Sequence, residues 1–75
     1  MNKKDQKIIA DAMREGIPIF VLTAKDKLSA EALQQYWSAC DLESCNPEHI
    51  VGVQQRINEF ESWQRENRDK VKLPD

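Results

Sequence analysis

At 75 residues the chain has room for one domain, and a fold this small hides only about 60% of its unfolded surface, so a disulfide, a metal or a second subunit often supplements the core. With 40% hydrophobic and 32% charged residues, two Trp, two Phe and one Tyr, the composition excludes a disordered polyampholyte, and no apolar run is long enough to cross a bilayer. A formal charge of −2 is too slight to argue for a nucleic-acid partner. Its distribution is uneven: residues 1–25 carry five Lys/Arg against three Asp/Glu, residues 26–61 two against seven, and residues 62–75 four against three. An acidic middle argues against a nucleic-acid surface there and would suit a basic partner, but a solvated face is the favoured explanation.

Asn2 is placed to cap a first helix, with Asp5 three residues on in the manner of a capping box. Ile8, Ile9, Ala12 and Met13 share one face, and Lys7–Asp11 and Asp11–Arg14 are favourable pairs at helical spacing. Gly16 suits a left-handed exit and Pro18 forbids simple continuation, so a helix is expected over 3–15.

Residues 17–22, Ile-Pro-Ile-Phe-Val-Leu, form the longest apolar run. Pro18 pushes Ile17 out of the helical region, and Ile19, Phe20 and Val21 favour extended backbone. No second strand is readable, and a lone buried strand leaves its backbone groups unpaired. The run is therefore expected as a buried extended connector, as a strand pairing with its own copy across a dimer axis, or as a short helix opening at Pro18, in that order.

Two starts compete for the second helix, Thr23 with Asp26, and Ser29 with Leu28 stapled to Leu33; the staple favours Ser29. Leu33, Tyr36, Trp37 and Cys40 then make a helical stripe over about 30–43. For the third helix, Asn46 is a good cap, Pro47 fits the first position and Glu48 complements the helix dipole. Ile50, Val53, Ile57, Phe60 and Trp63 continue its apolar row through 47–66, and Asn67 can take a left-handed exit. Residues 68–75 read as a C-terminal tail whose Val71 and Leu73 can pack back. The expected fold is all-α, three helices around residues 17–22, with Tyr36, Trp37, Ile57 and Phe60 meeting in one core.

Cys40, Cys45 and His49 are the one cluster of soft ligands, but their spacing matches no usual zinc pair and a fourth ligand is missing. A thiol enzyme would need a base, an orienting group and a pocket with walls, which so small a chain does not announce. Glu59 and Glu61 do not face each other on a helix, and with only two glycines there is no phosphate loop. The expectation is no enzyme, no cofactor and no metal. A helix-turn-helix would present Pro47, Glu48 and His49 to DNA, with Glu48 of the wrong sign for phosphate. Partner-binding candidates are Trp63, at the thinning end of the third helix, and Ile19 and Val21 on the apolar run. Gly52 inside the third helix costs about 1 kcal/mol relative to Ala and suggests either close approach of another segment or tolerance.

The leading expectation is a small non-catalytic protein-interaction or regulatory module, with an unidentified protein partner and a homodimer among the outcomes. Its rival is a nucleic-acid-binding regulator using the corner between helices two and three or the basic ends, Lys3, Lys4, Lys7 and Arg65, Arg68, Lys70, Lys72. No secretion signal is readable, so the expected location is cytoplasmic, with Cys40 and Cys45 as reduced thiols.

Overall fold

The computed structural model describes residues 2–75. It is all-α: α1 (Lys3–Glu15), α2 (Ser29–Leu42) and α3 (Pro47–Glu66) are followed by a short 3-10 turn at Arg68–Lys70. Among the described residues there is no sheet; an isolated parallel bridge joins Asp26 to Lys72.

The helix ends follow local chemistry closely. The Asp5 N–H donates to the Asn2 side-chain oxygen at 2.8 Å, satisfying one of the free donors of the first turn. Gly16 closes α1 at φ 70°, where a side chain would be strained, and the Ala12 carbonyl accepts from Gly16 and from Ile17. Lys7–Asp11 and Arg14–Asp11 form at 2.7 and 2.9 Å as their spacing predicts. Asn46 caps α3, accepting from the Glu48 N–H at 2.8 Å, with Pro47 at the first helical position.

Two ends differ from expectation, the start of α2 and the exit of α3. Ser29 is the first residue of α2 rather than its cap; its hydroxyl turns back to donate to the Asp26 carbonyl at 2.7 Å and is fully buried. Asp26 itself accepts from the Leu28 N–H, and Thr23 with Asp26 makes a turn instead of opening a helix. Leu28 stays half in water, so no staple closes over it. Asn67 leaves α3 at φ −132°, not left-handed, because its side-chain amide reaches the Trp63 carbonyl at 2.9 Å and satisfies the helix end directly.

The core lies mainly between α2 and α3, joined by residues 43–46. Cys40, Val53 and Ile57 are buried there, and Ala12 of α1 is the fourth buried apolar residue. Trp37, Phe60 and Leu33 are half-buried around them, while Tyr36 faces outward. The indole N–H of Trp37 is buried with no acceptor among the described residues. The tail is not loose. Lys72 accepts from the Lys27 N–H at 2.8 Å and donates to the Lys25 carbonyl at 3.0 Å, which pins residues 71–73 against the connector.

The expectation that residues 17–22 lie buried is wrong. Ile17, Ile19, Phe20 and Val21 are all exposed, Phe20 at 87%, and only Leu22 is half-covered. The helices do not close over the run: the Gly16 exit carries the chain outward, and α1 holds to α3 through an Asp5–Arg56 ion pair rather than through packed apolar faces. Its Ile8 and Met13 stay in water as well.

Gly52 gives a direct test of packing along α3. A Cβ built at this position would meet no atom within 4 Å, so no segment approaches it closely. Gly52→Ala is expected to raise stability by about 0.5–1 kcal/mol, the helix-propensity gain, as a shift in the urea midpoint. A loss would show that something does press on that face.

Candidate functional site

Three walls enclose an open apolar groove of about 610 Å³. Ile8, exposed, and Ile9, half-buried, supply one wall from α1. Residues 19–22 form the rim, and Leu33 of α2 with Phe60 of α3 form the floor. Asp5 and Arg56 stand at one end, where Arg56 also reaches Glu59 at 3.0 Å. Those carboxylates hold the Arg56 guanidinium above its usual pKa, the hydrogen bond that Arg56 donates to Glu59 contributing most. The groove is thus apolar along its length with one fixed, internally paired charge at its end.

The backbone beside it is equally unoccupied. Among the described residues no hydrogen bond reaches an N–H or C=O of residues 18–22; the nearest are the Ile17 N–H to Ala12 and the Asp26 N–H to Thr23. Exposed amides next to exposed Ile, Phe and Val side chains give an adhesive edge.

Of the sequence candidates, Ile19 and Val21 line this groove, and Trp63 does not. Trp63 is half-buried and borders a separate shallow hollow of about 560 Å³ made wholly by one side of α3, with Asn58, Glu59, Ser62, Arg65 and Glu66. A hollow on a single helix has no opposing wall to grip an anchor. Residues that the sequence reading missed are Ile8, Ile9 and Phe60. It placed Phe60 in the core and gave Ile8 and Ile9 only as one face of the first helix, because an apolar stripe looks the same whether or not something covers it.

The polar cluster at the α2–α3 corner takes a different form from a metal site. His49 Nε2 and the Tyr36 hydroxyl lie 2.9 Å apart, with the rings edge to face at 5.9 Å. A hydrogen bond with the Cys40 thiol raises the Tyr36 pKa, and burial adds to the rise. Partial burial raises that of Cys45. Both cysteines are free, and among the described residues no three His, Cys, Asp or Glu side chains are grouped to hold a metal ion. A phosphate approaching this corner would meet Glu48 in the first turn of α3, where the helix dipole already has its anion. Among the described residues no helix is long and apolar enough to cross a membrane.

Compared with protein-family models, with curated proteins and with solved structures, the chain matches none.

Proposed function

We propose that the protein is a small non-catalytic interaction module that docks a protein chain in the groove between α1, residues 19–22 and the α2–α3 pair. The observation that carries this reading is the exposure of the longest apolar run, with Phe20 at 87%, directly beside that groove. Leaving such a run in water forfeits hydrophobic stabilisation of about 25 cal/mol per Å², a large loss for a domain with so little core. The unpaired backbone of 18–22 suits addition of an extended strand, whose main-chain bonds give affinity while the groove selects side chains. A homodimer through residues 17–22 is one form of this docking.

Photo-cross-linking in cells tests it. A benzophenone side chain at position 20 should yield a discrete protein adduct, and one at position 42, where Leu42 is also exposed but lies outside the groove, should not. Ile8→Glu should abolish the adduct from position 20 while leaving the chain folded, since Ile8 is already half in water. Equal labelling from both positions would sink the docking reading.

A further inference from the structure

The molecule carries more surface than its mass warrants. A compact monomer of 8.7 kDa exposes about 4,700 Å², whereas this chain exposes 6204 Å², an excess of about 1,500 Å². The radius of gyration agrees, at 13.6 Å against about 11 Å for a compact chain of 75 residues. That excess belongs to each copy, so two copies have about 3,000 Å² to cover, within the range of about 2,000–5,000 Å² that obligate homodimer interfaces bury.

We infer that the occupant of this face is a second copy of the chain, joined by antiparallel pairing of residues 17–22 about a two-fold axis at Phe20. This rests on the docking reading above and names its partner. A two-fold contact uses the same patch on both copies, so one exposed edge is sufficient for both. Pro18 selects the register. With the axis at residue 20, residue 18 faces residue 22 and residue 19 faces residue 21. Because Pro18 has no N–H, the 18–22 pair must be the non-hydrogen-bonded kind. Alternation along the ladder then makes 19–21 a hydrogen-bonded pair and 20–20 a close, non-hydrogen-bonded one, with Cα atoms about 4.5 Å apart. Ile19 and Val21 exchange the amides that are unpaired in the single chain. The two Phe20 side chains meet at the axis.

Light scattering on the native chain should give twice 8.7 kDa. Val21→Pro, which removes an amide with no partner in the single chain, should return the mass to monomer with the helical circular dichroism retained. Phe20→Cys should oxidise to a covalent dimer far faster than Met13→Cys, an exposed control on α1, because a separation of about 4.5 Å falls within the disulfide range of about 4.4–6.8 Å. If Val21→Pro unfolds, the cysteine comparison decides. Monomeric mass up to NMR concentrations overturns the inference, as does a dimer unaffected by Val21→Pro or equal oxidation at positions 13 and 20. A cross-link from position 20 to a different protein, with a monomeric native chain, would keep the docking reading and reject the second copy.

Discussion

Ile57→Ala is expected to unfold most of the protein at room temperature. Ile57 is 2% exposed and sits with Cys40 and Val53 where α2 and α3 meet. Removing its outer carbons leaves a cavity, and Ile-to-Ala changes of this kind cost about 2–5 kcal/mol. A chain of 75 residues has about 4–11 kcal/mol in total, and a core of four buried apolar residues among those described puts this one toward the low end. Urea titration followed by circular dichroism should show the folded baseline lost or severely shortened. Ile57→Val, removing one methyl, should cost about 0.5–1.5 kcal/mol and retain a measurable transition. A loss below 1 kcal/mol for the alanine variant would place the core elsewhere.

Gln64→Ala is expected to cost about 1–3 kcal/mol and to release the turn before α2 together with the tail. The Gln64 amide nitrogen lies 3.0 Å from the Ala24 carbonyl, 3.3 Å from that of Asp26 and 3.4 Å from the Ser29 hydroxyl. Its two N–H donors thus serve a part-buried set of acceptors, with Ser29 fully buried among them. Without them the Ala24 carbonyl loses its donor while the Asp26 carbonyl keeps the Ser29 hydroxyl and N–H, and the bridge that Lys72 makes to Lys25 and Lys27 loses its support. Hydrogen exchange should quicken at the Lys27 and Lys72 amides while the middle of α3 stays protected. Gln64→Glu should be at least as damaging, because a carboxylate has the same shape but only accepts. A Glu variant as stable as the native chain would refute the donor role.

These two sites also show where reading the chain residue by residue reaches its limit. Ile57 is recognisable as core from its place in the row Ile50, Val53, Ile57, Phe60. Gln64 lies on the same helix and carries no local sign of its role, since its acceptors are 35 or more residues away. The groove is a mixed case. Ile19 and Val21 stand out because six apolar residues in succession must meet something. That the something is not this chain's own helices depends on the path taken after Gly16.

What the amino-acid order determined alone is the set of helices and most of their ends, because caps, glycine exits and proline starts act within a turn of the residues that carry them. Asn2, Gly16, Asn46 and Pro47 each behave in the fold as their chemistry dictates. Only the tertiary arrangement decided which apolar faces are covered. Burial is a relation between segments far apart in the chain, and α1, held to α3 by the Asp5–Arg56 ion pair, leaves Ile8 and the run around Phe20 open to water.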